Sequence, residues 1–140
     1  MGQKMAEKAV NRTAVKRRGR FASDVMAALS AEKILRIRAG TKPHRLIGIW
    51  FVMVENRLFV RSWSLKPQGW FRTIREEPRA EIQVGGHQLT VRAVHTRSER
   101  LVNAVSRAYL QKYNTGGSIK YARDLGRPKS RATTTELLPE

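Results

Sequence analysis

Ser62, Ser64 and Lys66 stand two apart in the run VRSWSLKP, where a strand gives way to a helix, and two hydroxyls and an ammonium there suit an anion, above all a phosphate. Pro67 fits the first turn of that helix, Ser64 or a neighbour can cap it, and the free backbone amides would point the same way as the Lys66 ammonium. Arg61 lies just before, among apolar neighbours that make an unpaired guanidinium costly to bury, so it should reach a ligand, a carboxylate or solvent. Each residue also has a plain reading. Lys66 can be a solvated loop lysine, Ser62 and Ser64 can simply satisfy the helix, and Arg45 can decorate the start of a strand. Trp50, Trp63 and Trp70 read more readily as core or dimer-interface aromatics than as ring-stacking partners. No general base stands out among Asp24, Glu32, Glu55, Glu76, Glu77, Glu81 and Glu99, none of which forms a close pair in sequence. The pattern suggests a ligand class and no reaction.

The elements that must position these groups are mostly strands. Leu46 to Val54 is apolar at nearly every position and reads as a strand covered on both faces; Glu55 and Asn56 break it before Leu58, Phe59 and Val60 resume. Ahead of it, Ala22 to Ser30 reads as a helix and Lys33 to Arg38 as a half-buried strand. Trp70 and Ile74 share a helical face ended by Pro78. Ala80, Ile82 and Val84 alternate up to Gly85 and Gly86, and Leu89, Val91 and Ala93 alternate beyond, a two-residue hairpin whose register pairs Ile82 with Leu89. Thr96 and Glu99 are expected to form a capping box for a helix carrying Leu101, Val105 and Tyr109, stopped by Asn114, Gly116 and Gly117. Residues 115 to 131 read as irregular and basic, and 132 to 138 as a final edge strand. Hairpins dominate and crossovers are few. The expected class is therefore mainly β (α+β), a six-stranded antiparallel barrel with two or three peripheral helices.

A chain of 140 residues with 41% hydrophobic content suits one compact domain. Cysteine is absent, which removes disulfides, thiolate catalysis and cysteine metal sites and fits a cytoplasmic location. His44, His87 and His95 lack metal-ligand spacing, so no metal is expected. No apolar run is long enough for a membrane span. The net charge is +17, from 28 basic and 11 acidic residues. Residues 1 to 20 carry seven cations against Glu7 alone and read as a flexible basic arm ahead of a domain over 21 to 140. Lys16, Arg17, Arg18 and Arg20 are its candidates for weak nucleic-acid binding by counterion release.

The order of strands, SxK-bearing helix opening, GG hairpin and late helix resembles the flavin-binding split barrels of the pyridoxamine-phosphate-oxidase type, over roughly residues 25 to 115. Pro43-His44-Arg45-Leu46-Ile47 is similar to the strand whose arginine reaches the flavin, Ser62-x-Ser64-x-Lys66 to the phosphate-binding run, and Pro78-Arg79-Ala80 to the turn after the helix. The oxidases carry a lysine five residues after that arginine, where this chain has Trp50. The aromatic there, with Trp70-Phe71, resembles instead the deazaflavin-dependent nitroreductase branch. A small split-barrel family of unknown function is more similar still, sharing IWFV, VRSW, KY and ATT elements at Ile49, Val60, Lys112 and Ala132. The resemblance implies a homodimer binding FMN or a deazaflavin through Arg45, Arg61, Ser62, Ser64 and Lys66, with oxidoreductase chemistry carried by the cofactor. The alternatives are a basic barrel binding nucleic acid and a cofactor-free split barrel.

Overall fold

In the computed structural model the described residues are 20–63 and 69–140, so the basic arm and the Ser64 to Gln68 stretch lie outside them, apart from Arg20. Six antiparallel strands close into a barrel: β1 (Ile34–Ala39), β2 (Ile47–Val54), β3 (Arg57–Val60), β4 (Arg79–Val84), β5 (His87–His95) and β6 (Thr135–Pro139), in the order β1-β2-β3-β6-β5-β4. Five helices accompany them among the described residues: α1 (Ser23–Ala31), α2 (Trp70–Glu76), α3 (Glu99–Lys112), α4 (Ile119–Asp124) and α5 (Pro128–Arg131).

The Gly85-Gly86 turn places Ile82 opposite Leu89, as the alternation requires. Both glycines have positive φ, which suits a primed hairpin turn, and a Cβ on Gly85 would stand 2.8 Å from the Ala28 Cβ of α1. Glu55 and Asn56 make the other tight turn, also at positive φ.

Period-two alternation sorts β2 and β3 into two layers. Phe51, Leu58 and Val60 join the barrel interior with Leu35, Ile37 and Ile82, and Val25, Leu29 and Ile74 from α1 and α2 close it. Val52 and Phe59 face outward onto a second cluster with Leu101, Val105 and Tyr109 of α3 and Ala122 and Leu125 of the following segment.

Three expectations change. The α3 helix is capped by Ser98, whose hydroxyl accepts from the Leu101 amide, while the Thr96 amide instead donates to the Thr134 carbonyl beside β6. It ends where expected, at Lys112 with Tyr113 as its cap, directly before Asn114. Residues 115 to 131 contain two short helices because Ala122 and Leu125 bury one face against α3, so five helices stand where two or three were expected. The last strand is no edge: β6 pairs with β3 on one side and β5 on the other and so closes the barrel.

Candidate functional site

The segments containing IWFV, VRSW, KY and ATT, scattered from residue 49 to 134, meet at one junction. Arg61 follows Phe59 on the outward face of its strand and enters the layer between barrel and helices. It is 3% exposed. Its guanidinium donates to Thr134 Oγ1 at 2.8 Å, Ser106 Oγ at 2.8 Å, the Leu125 carbonyl at 2.8 Å and the Val102 carbonyl at 2.7 Å. These acceptors are all neutral. Of ligand, carboxylate and solvent, the expected destinations, none is what it meets; two hydroxyls and the carbonyls of Leu125, just past α4, and Val102, within α3, take their place. Burial pulls its pKa down to about 10, with Tyr109 opposing and the neighbouring Arg131 charge reinforcing the shift, so it remains a cation at neutral pH. Arg131 shares the same Ser106 hydroxyl at 3.2 Å and also donates to Asn103.

Ser62, one residue on, is buried, and its amide donates to Thr133 Oγ1 at 2.8 Å. Trp50 stacks on Tyr113 with centroids 3.9 Å apart and planes 3° from parallel, and Trp63 meets Trp50 edge-on at 5.5 Å. Trp50 is therefore a packing aromatic of the helical layer. The residue at the oxidases' lysine position has a ring face covered by this chain's own tyrosine.

Tyr113 and Lys112 have a further task. The β1–β2 register ends at Ile34 opposite Trp50, which leaves Phe51 without a strand neighbour on that side. The Tyr113 hydroxyl accepts from the Phe51 amide at 3.1 Å and lies 2.6 Å from the Lys33 carbonyl and 2.9 Å from the Phe51 carbonyl, so a side chain continues the ladder where the strands part. Lys112 Nζ donates to the same Phe51 carbonyl at 3.1 Å and sits 3.4 Å from the Phe51 ring centroid. Burial, with Lys33 nearby, lowers the Lys112 pKa to about 8, and burial pushes the Tyr113 phenol up to about 12. KY thus contacts the IWFV strand, and ATT the VRSW segment.

Arg45 is placed elsewhere. It lines a cleft of about 300 Å³ with Ile37, Ala39, His44, Ile47, Trp70 and Thr73, between β1, the start of β2 and α2. The Arg45 side chain is exposed and makes no hydrogen bond or ion pair among the described residues. The neighbouring carboxylate of Glu77 is already engaged: Thr41 donates to it from amide and hydroxyl at 3.0 and 3.1 Å, which holds its pKa below the usual value. The α2 helix opens at Trp70 with Gly69 in the cap position and no side-chain cap, three residues after Pro67 was expected to open it. Ser64 and Lys66 themselves lie outside the described residues. Of the five expected ligand-binding residues, then, Arg45 faces an open cleft, Arg61 and Ser62 are bound into the protein, and the last two are not described.

A family model described as "Uncharacterized protein conserved in bacteria (DUF2255)" matches residues 25–137, most of the chain. The chain belongs to this family. No curated protein matches it. Among solved structures, a putative pyridoxamine 5'-phosphate oxidase from Listeria innocua is 12% identical with a TM-score of 0.60, over 84% of this chain and 91% of that one. The heme storage protein HutZ from Vibrio cholerae is 14% identical with a TM-score of 0.60, over 86% and 91%. A FAD-binding protein from Mesorhizobium loti is 14% identical with a TM-score of 0.53, over the same shares. At these identities the likeness is one of fold. The shared fold is the six-stranded closed barrel.

Proposed function

We propose that the cleft beside Arg45 takes a flavin or deazaflavin phosphate, with hydride or electron transfer carried by the bound ring. The observation that carries this reading is an uncommitted guanidinium on the rim of a cleft with an indole, Trp70, in its wall. A fixed cation suits a phosphate and a flat aromatic suits a heteroaromatic ring. The fold likeness to proteins described as FAD-binding and as a putative pyridoxamine 5'-phosphate oxidase supports it. Ser64 and Lys66 are proposed as the remaining phosphate donors. Arg61 contributes none, because its guanidinium is held by protein acceptors.

A cleft of about 300 Å³ lies at the small end for a ligand pocket, so it suits one part of such a cofactor. The rest would lie against a second copy of the chain. Exposed Ile34, beside the flat Gly48 position, supplies an apolar surface for that homodimer.

Calorimetric titration with FMN and with riboflavin tests the site. Arg45→Ala and Lys66→Ala should each weaken FMN roughly ten- to a hundredfold, as loss of a charge-assisted bond does, and leave weaker riboflavin binding nearly unchanged. Equal losses for both ligands would assign these residues a structural role, and no flavin binding by the unaltered protein would end the proposal. Sedimentation tests the assembly: a strict monomer at tens of micromolar removes the second copy.

A further inference from the structure

Residues 119 to 131 form a short helical cap on the barrel that is dense in cations. Lys120, Arg123, Arg127, Lys129 and Arg131 crowd into the α4–α5 segment, and its one carboxylate, Asp124, is taken by Arg127 at 3.1 Å. Because α4 turns Ala122 and Leu125 inward, its cations are left on the outside.

A basic helix surface is often only a solvated face. Two independent features make this one different. First, the buried Arg61 guanidinium lies directly beneath it, bonded to the Leu125 carbonyl at the end of α4 and sharing Ser106 with Arg131. Neither guanidinium has a carboxylate among its partners, so a fixed positive charge in a poorly polarisable layer adds its field to that of the mobile surface cations. Second, two aromatic rings stand exposed beside the cations. Tyr121 is 48% exposed and Trp63 is 41% exposed, and they hold each other edge-to-face with centroids 6.5 Å apart and planes at 86°. Lys120 Nζ lies 5.1 Å from the Tyr121 centroid, which brings a phosphate-binding charge and a stacking surface together.

We propose that this cap, α4–α5 with Tyr121 and Trp63, binds single-stranded nucleic acid, with phosphates on the cations and a base against the exposed rings. The inference is independent of the cofactor reading and of the basic arm. The chemistry favours nucleic acid over its rivals. A membrane-surface helix needs an apolar face turned outward, whereas the apolar residues Ala122 and Leu125 here are buried. An acidic protein or polysaccharide would use the cations but has no flat bases for the rings, and base stacking on an aromatic is the feature that both rings would serve.

The test uses the full chain, a fluorescein-labelled oligothymidylate, heparin as a polyanion without bases, and phosphatidylserine vesicles. The double variant Arg123→Glu with Lys129→Glu should lose at least tenfold in oligothymidylate affinity and flatten the dependence of log affinity on log salt by about 1.4, at about 0.7 per phosphate contact. Tyr121→Ala should weaken the oligothymidylate roughly fivefold or more and leave heparin unchanged. The same charge reversal placed on α2, Arg72→Glu with Arg75→Glu, should have a distinctly smaller effect. Equal losses from the α2 variant would reduce the effect to net charge. Loss of heparin alongside the oligonucleotide on Tyr121→Ala, or no loss of either, would remove the base contact. Tighter binding to vesicles than to oligonucleotide would assign the cap to membranes, and binding abolished only by replacing Lys16, Arg17 and Arg18 with serine would assign it to the arm. Any of these outcomes overturns the proposal.

Discussion

On the barrel wall cations meet carboxylates, whereas beneath the helical cap Arg61 and Arg131 meet hydroxyls and carbonyl oxygens. Arg38 faces its register partner Glu81 at 3.1 Å, Arg57 meets Glu136 at 2.8 Å, and Arg79 meets Glu140 at 2.9 Å. For the first pair the register itself brings the opposite charges face to face; Arg57 and Glu136 stand diagonally on neighbouring strands, and Arg79 reaches Glu140 across β5. No ladder organises the cap, where Arg61 and Arg131 are satisfied by neutral groups and their charges remain uncompensated. Neutralisation on the wall follows from strands that bring opposite charges together on one surface; uncompensated charge beneath the cap is a consequence of how helices pack on the barrel.

The strongest way to break this comparison is Arg61→Met. It removes four hydrogen bonds and takes the guanidinium donor from the Leu125 and Val102 carbonyls in a buried layer, so a loss of about 3 kcal/mol is expected in urea unfolding. A loss below about 1 kcal/mol, no more than that of a typical neutral hydrogen bond, would mean that water reaches those carbonyls and the layer is not dry.

Tyr113→Phe comes next. It deletes only the hydroxyl that continues the ladder between Lys33 and Phe51, and about 1 to 3 kcal/mol should follow from the unsatisfied amide and carbonyl. Hydrogen exchange at the Phe51 amide should accelerate specifically; unchanged protection there would show that the hydroxyl is dispensable.

Lys112 sharpens the comparison through pH. Its native pKa of about 8 lies below the usual lysine value of 10.5, so between these values the unfolded chain holds a proton that the native state has released. Stability should therefore rise with pH from 8 towards 10, and this contribution is lost again as pH falls back through 8. Tyr113, raised to about 12, opposes the trend only above its ordinary value of 10.0. Lys112→Met should flatten the rise over pH 8 to 10 in thermal or urea unfolding. An unchanged slope would place its origin elsewhere.

The smallest effect belongs to the wall. Arg38→Gln breaks a pair whose side chains are 37% and 32% exposed, and such pairs contribute about 0 to 1 kcal/mol. A larger loss would mean that wall pairing and cap bonding are energetically alike.

Local pattern alone determined a good deal here. The GG turn between alternating runs settles the β4–β5 register, because a two-residue loop leaves one alignment that keeps Ile82 and Leu89 opposite each other. The spacing of Leu101, Val105 and Tyr109 settles the buried stripe of α3. Class and strand number follow from such elements and their order. Period-two alternation also contained the fate of Arg61, since Phe59 and Arg61 must share a face, but which face carries helices is not written in β3. Only the tertiary structure decided that this face is roofed by α3 and α4, and hence that a residue expected to meet a ligand, an acid or solvent is held by carbonyls of distant segments. It likewise decided that Trp50 stacks on Tyr113, and that β6 closes the barrel rather than edging it. The physical reason is common to all three: alternation and turn chemistry act over a few residues, whereas the partner of an outward side chain, or of a strand's open edge, is chosen by burial among segments 40 residues or more away.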